Sequence, residues 1–235
     1  MVSPGMRKYR VRSEAQASLV GAPGDGMIAP ADLFGRLAPL RLEIGFGHGE
    51  FISAMATVHP DEDFIGIEYD PLRVTKTAHK CLKLGADNVR LFSGEAHLFV
   101  RHRLPAASIH RAYILFPDPW PKPGHRRRRL MNRAFLLDLA HAMAPGGRLM
   151  FASDTHNYAL QVLSQVTTLP GLWRSLYPSG YRIDIPTRFP TVFERHKKEE
   201  GCTIAYVALE RTALAPCPRV PWPVTPGGDA GSESR

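Results

Sequence analysis

Short apolar runs alternate with longer amphipathic stretches through the middle of the chain. Runs at 40–44, 64–68, 89–92, 111–116, 148–153 and 203–209 are mostly bounded by Gly, Pro, Asp or Asn and predict strands. Between them, 50–58, 71–84, 96–102, 127–144 and 157–168 repeat their apolar positions at helical spacing and predict helices. Pro71 suits a first helical turn, and Ala144-Pro145-Gly146-Gly147 stops a helix and runs into the next strand. Strands separated by helices of this length pair in parallel, with crossover helices on both faces. The expected fold is α/β, a doubly wound sheet whose ligands sit at the carboxyl ends of the strands.

The flanks break the pattern. Residues 1–37 are rich in Gly, Pro, Ala and charge and read as a flexible basic arm, while 211–235 close in Pro and Gly and read as a disordered tail. The stretch 38–210 between them is one domain's worth of chain, without internal repeats. Of the 235 residues, 44% are hydrophobic and 22% charged, which permits a sizeable core and excludes wholesale disorder. No window approaches about 18 uninterrupted apolar residues, so no membrane-spanning helix is expected. The first residues are basic but lack the apolar region of a secretory signal. Cys81, Cys202 and Cys217 are odd in number and show no CxxC spacing, against a disulfide framework or a Cys-rich metal site; a reducing, cytoplasmic setting fits.

Charge sharpens the picture. The chain carries a formal +8, and Lys122, Arg126, Arg127, Arg128, Arg129 and Arg133 fall in one acid-free stretch. Such a run is either a solvated helix face or localisation signal, or else a nucleic-acid contact. Its neighbours favour the second reading. It follows Phe116-Pro117-Asp118-Pro119-Trp120-Pro121, a corner that prolines stiffen by fixing φ and removing donors, at the end of the fourth strand. There Asp118 is placed where a substrate meets a cofactor, and Trp120 is either a stacking face or a loop anchor.

The first strand runs into Leu42-Glu43-Ile44-Gly45-Phe46-Gly47-His48-Gly49-Glu50. Gly45, Gly47 and Gly49 permit a tight turn and close backbone approach to a ligand. The dinucleotide fingerprint needs glycine where Glu50 stands, and an acid at a helix N-terminus is a poor neighbour for a pyrophosphate. Glu43 and Glu50 favour a cationic ligand. Glu68, ending the second strand, can accept from ribose hydroxyls, and Glu95, after the third, can meet an adenine edge. S-adenosylmethionine, a sulfonium and ammonium without phosphate, suits these acids. Tyr69 lies against adenine or in the core, and Asp154 is either a helix N-cap or a substrate contact.

The segments Leu42-Glu43-Ile44-Gly45-Phe46-Gly47, Gly66-Ile67-Glu68, Phe116-Pro117-Asp118-Pro119-Trp120-Pro121-Lys122, Ala152-Ser153-Asp154 and Thr191-Val192-Phe193-Glu194 together resemble one family. It is the bacterial tRNA (guanine-N7)-methyltransferases of the class I S-adenosylmethionine-dependent fold, matched over 38–210. The resemblance implies a Rossmann-like, mostly parallel sheet with an antiparallel last strand, and a cytoplasmic enzyme, monomer or homodimer, that methylates guanosine N7 in the tRNA variable loop without a metal. It implies that Glu43, Glu68, Glu95 and Asp118 contact S-adenosylmethionine, with Asp118 the catalytic candidate. It also implies that Lys122, Asp154, Thr191, Val192, Phe193 and Glu194 contact the tRNA guanosine. Glu95 stands where the family commonly has Asp, and Pro121 where it often has His. Methylation of an exocyclic base amine, an NAD-dependent oxidoreductase and a non-catalytic RNA-binding scaffold are the alternatives.

Overall fold

The computed structural model describes residues 19–21, 26–186 and 189–215. Along the chain the elements are α1 (Pro30–Phe34), β1 (Leu40–Ile44), α2 (Glu50–Val58), β2 (Asp63–Glu68), α3 (Pro71–Lys83), β3 (Val89–Ser93), α4 (Ala96–Arg103) and β4 (Ile109–Leu115). A 3-10 turn (Pro123–Arg128) then leads to α5 (Arg133–Ala142), β5 (Met143–Ser153), α6 (His156–Thr167), β6 (Trp173–Ser175), β7 (Arg182–Ile183), α7 (Val192–Glu199) and β8 (Ala205–Arg211).

The sheet order is β3-β2-β1-β4-β5-β8-β6, with β7 also paired to β8. β1 pairs in parallel with β2 on one side and β4 on the other, and β4 pairs in parallel with β5. β8 is antiparallel to β5, matching the antiparallel last strand expected. All five residues of β1 and all six of β2 are buried, as strands covered on both faces must be. One apolar cluster gathers Ile52, Met55, Val74 and Ala78 of α2 and α3. The larger one gathers Phe99 of α4, Phe135, Leu136 and Leu139 of α5, and Tyr158 and Val162 of α6.

Two expectations need correction. The helix expected at 127–144 is a 3-10 turn, an extended break and a shorter α5 beginning at Arg133. Asn132 makes that boundary, because its side chain accepts from the Phe135 N–H at 3.0 Å and starts the helix there. The second concerns the arm at 1–37, whose described part is fastened to the domain. Leu19 is buried, the Gly21 N–H donates to the Leu91 carbonyl, and Ile28 donates to Arg103. Residues 1–18 and 22–25 of that arm lie outside the described residues, as do 216–235 of the expected tail; Arg211 at its start ends β8. No helix among the described residues is long and apolar enough to cross a membrane.

Gly49 joins the two helices that follow β1 and β2. It caps α2 at φ +70°, and a Cβ there would lie 2.2 Å from Thr77 Cγ2 of α3. Gly35 has nearly the same φ, +69°, but open space around it. Thermal unfolding should therefore show Gly49→Ala losing about 2 kcal/mol or more and Gly35→Ala about 1 kcal/mol. Equal losses would mean that the Thr77 contact costs nothing.

Candidate active site

Because β1 is flanked by β2 and β4 while its neighbouring helices leave toward opposite faces, a crevice opens at its carboxyl end. Two clefts occupy it, about 580 and 480 Å³, and they share Gly45, Arg73 and Phe116. Gly45 has φ +71°, and a Cβ there would meet nothing within 4 Å, so the floor where the clefts join is bare backbone.

Gly45, Glu68, Glu95 and Asp118 all line the larger cleft, together with Tyr69, Trp120 and Arg128. Glu68 is buried; its Oε2 accepts from the Gly47 N–H at 2.8 Å and its Oε1 from the Asp70 N–H at 3.2 Å. These bonds tie the glycine loop to the end of β2 and still leave acceptor lone pairs on the carboxylate. Tyr69 is exposed, so its core reading fails. Glu95 caps α4, accepting from the His97 and Leu98 N–H groups at 2.9 and 2.6 Å, while it also borders the cleft.

Glu43, Gly47, Thr191, Val192 and Phe193 line the second cleft with Glu50 and Lys197. Glu43 is 4% exposed and its Oε2 has no hydrogen-bond partner. Burial, and then the neighbouring Glu50 charge, push its pKa up to about 8. A buried carboxyl group with one oxygen left without a partner and a second acid nearby suits a cationic group.

The corner after β4 is strained. Phe116 sits at φ +55° and Trp120 at φ +39°, a region bulky side chains rarely adopt, and Pro117 and Pro119 stiffen the segment between. The guanidinium of Arg128 lies 4.9 Å from the Trp120 ring centroid, and the Phe116 and Phe193 rings are 5.0 Å apart. Asp118 is thereby presented on a rigid element at the mouth of the larger cleft.

The basic run is divided by the 3-10 turn. Lys122 is exposed just before the turn and lines neither cleft. Arg126, Arg127 and Arg128 are exposed, and the first two border a shallow groove against Gln161 and Gln165 of α6. Arg129 instead is fully buried, which corrects its reading as a surface charge.

Thr191, Val192, Phe193 and Glu194, expected in a polar loop, open α7. Thr191 Oγ1 accepts from the Glu194 N–H at 3.0 Å, and Thr-x-x-Glu is the sequence signature of such a start. Glu194 is buried and lines neither cleft; its Oε1 accepts from Tyr206 Oη at 2.7 Å and Lys198 Nζ at 2.8 Å. Asp154 is not the cap of α6, a position Thr155 occupies without a side-chain bond; its Oδ2 lies 4.0 Å from Lys197 Nζ. Sequence reasoning missed Arg73, which borders both clefts, 4.0 Å from Glu68 and 3.8 Å from Asp70. It also missed Lys197, on a helix it did not expect.

A doubly wound sheet with an antiparallel last strand, acids at the ends of β1 and β2 and no phosphate-binding glycine fingerprint defines a class I S-adenosylmethionine-dependent methyltransferase. A family model described as a putative methyltransferase matches residues 37–204. The tRNA (guanine-N(7)-)-methyltransferase of Methylococcus capsulatus is 40% identical over 173 residues, covering 73% of this chain and 74% of that protein. The enzyme of the same name from Geobacter metallireducens is 35% identical over 192 residues, 80% of this chain and 91% of that one. The chain belongs to the bacterial tRNA (guanine-N7)-methyltransferase family.

Among solved structures, the 16S rRNA methyltransferase KamB superposes with a TM-score of 0.59 at 15% identity, covering 77% of this chain and 91% of that one. A variant of the 16S rRNA (adenine(1408)-N(1))-methyltransferase of Catenulisporales acidiphilia, solved with its cosubstrate SAM, gives 0.56 at 15% identity over 83% and 95%. At these identities the likeness is one of fold.

Glu43 makes stability depend on pH in a defined direction. Its carboxyl group stays protonated in the folded chain up to about pH 8, whereas in the unfolded chain it ionises near its ordinary value of 4.5. Its contribution is therefore complete below pH 4.5 and is lost as pH rises through about 8, on the order of a few kcal/mol. Denaturant unfolding between pH 5 and 8.5 should show the wild type losing more stability with rising pH than Glu43→Gln. Parallel curves would show that Glu43 ionises freely.

Proposed function

We propose that the chain transfers a methyl group from S-adenosylmethionine to N7 of a guanosine in the variable loop of tRNA. The observation that carries this reading is Asp118, held on the strained corner after β4 at the mouth of the cleft that Glu68 lines. When bound, S-adenosylmethionine supplies a methyl group activated by its sulfonium charge. The residues fit it: the unpartnered Oε2 of Glu43 suits the ammonium, Glu68 keeps lone pairs for ribose hydroxyls, and Gly45 leaves the floor bare between them. The acids that suit this donor disfavour the pyrophosphate of a dinucleotide, which tells against the oxidoreductase alternative. Glu95 borders the adenine end while capping α4.

Guanine N7 holds its lone pair in the ring plane, so no side chain has to remove a proton before transfer. Catalysis then rests on positioning and on electrostatics. Asp118 accepts from guanine N1 and N2 donors, which adenine lacks in that pattern, and its charge stabilises the cation that the purine becomes. Thr191, Val192 and Phe193 form the wall facing the base, with Phe193 offering a ring face, and Asp154 acts from the same side beside Lys197. Lys122 contacts the RNA outside the clefts. Glu194 serves this wall indirectly, fixing α7 to Tyr206. Arg126, Arg127 and Arg128 attract the phosphate backbone. The reaction belongs in the cytoplasm, with the chain acting as a monomer or homodimer.

Unmodified tRNA incubated with labelled S-adenosylmethionine and digested to nucleosides should yield 7-methylguanosine, mapped to the variable loop. A label on an exocyclic amine would overturn the N7 assignment. Asp118→Ala should lower kcat by about 100-fold or more with donor affinity changed only a few-fold; near-normal turnover would remove Asp118 from the chemistry. Arg126→Glu combined with Arg127→Glu should weaken tRNA binding and reduce the magnitude of its salt slope by about 2. An unchanged slope would place the RNA elsewhere.

A further inference from the structure

Arg129 ends a run of four arginines and does not behave like the other three. It is 1% exposed, and its guanidinium is held on three sides. Nε donates to the Pro119 carbonyl at 2.7 Å, and Nη1 donates to Gln161 Oε1 of α6 at 2.5 Å. The Tyr158 ring, also of α6, lies beneath it with the guanidinium carbon 4.6 Å from the centroid. The Tyr158 hydroxyl in turn accepts from the Met131 N–H at 3.1 Å, which closes the loop between α6 and the segment leading to α5.

The carbonyl that Arg129 grips belongs to the residue next to Asp118. It lies inside the corner whose ends, Phe116 and Trp120, sit at positive φ. Pro117 and Pro119 have no N–H to donate, so the corner has little hydrogen bonding of its own to hold that geometry. A segment with strain at both ends and few internal bonds stays in place only when something outside fixes it. The requirement is specific to arginine: two donors at a fixed angle, a flat face for Tyr158 and a permanent charge.

We infer that Arg129 is the positioning residue of the reaction corner, carrying the rigidity of α6 through Gln161 and Tyr158 to the Pro119 carbonyl and so aiming Asp118 at the base. This rests on the methyl-transfer reading above and adds to it a residue that touches neither the donor nor the RNA.

Arg129→Met, Arg129→Lys and Gln161→Leu, with Arg126→Met as a surface control, test it in the full chain on unmodified tRNA. The readouts are kcat, KM for tRNA, equilibrium affinity for S-adenosylmethionine and melting temperature. Arg129→Met should lower kcat about 30-fold or more while KM and donor affinity stay within about threefold. Arg129→Lys, which keeps one donor, should recover part of that loss. Gln161→Leu, at a half-buried position, should lower kcat about three- to tenfold, and it carries the test if Arg129→Met fails to fold. Arg126→Met should do the reverse, raising KM at constant kcat. Unchanged kcat in Gln161→Leu and Arg129→Lys, or stability, donor affinity and kcat falling together, would overturn the inference while an active wild type leaves the methyl-transfer reading standing. A wild type that makes no 7-methylguanosine would overturn both.

Discussion

The structure depends on β1 being hydrogen-bonded in parallel on both edges, to β2 on one side and β4 on the other. Parallel neighbours require crossovers; the one that leaves β1 runs through α2 to β2 and the one that leaves β4 runs through α5 to β5, so the two diverge and leave the carboxyl ends between them uncovered. Everything chemical in the molecule hangs from that uncovered end. Glu43 is the fourth residue of β1, Gly45 the first after it, Glu68 the last of β2, and Asp118 stands three residues past β4. Pairing fixes these relations: Glu43 is in register with Gly66 and with Tyr113, so the acids and the corner reach the crevice at matched heights.

Two opposed fields are built on this frame within a short stretch of surface. Glu50, Glu68 and Asp70 make the cleft side acidic, and Arg126, Arg127 and Arg128 make the adjoining rim basic. The net +8 describes neither region. The depth of each group decides its effect: exposed guanidiniums act through screened, long-range attraction. The buried Glu43 carboxyl acts at contact range on whatever cation reaches it. Arg129 shows that sign alone does not assign a residue to one field or the other, because its charge is spent on a carbonyl and an amide inside the protein.

Much of this was legible in the chain. β1 and α2 fall where the apolar run and the glycine turn place them, at 40–44 and 50–58, since a fully buried strand followed by a glycine turn and an amphipathic stretch has little else to become. The acids of the cleft were legible for the same reason, sitting at strand ends. β6 and β7 are two or three residues long and largely exposed, too short to show a period. The helix expected at 127–144 failed because a run of arginines is consistent with helix, and the inward turn of Arg129 depends on Gln161 and Tyr158 some thirty residues further on. Glu194 was invisible as a buried group for a similar reason: its partner Tyr206 belongs to the last strand. Thr191 did carry a local signal, the Thr-x-x-Glu start of a helix, and that pattern was the means by which α7 was open to discovery.

The bond from Tyr206 to Glu194 has a consequence for the order in which the molecule is completed. Every residue that lines the larger cleft lies between 44 and 130, so that half of the site is encoded in the first part of the chain to leave the ribosome. The opposing wall is on α7, and its buried Glu194 gains the Tyr206 hydroxyl as a partner when β8, near the end of the described chain, arrives and pairs with β5. The residues of the larger cleft are thus complete in the chain well before those that fasten the opposite wall, and β8, the last strand among the described residues, brings the buried partner of Glu194.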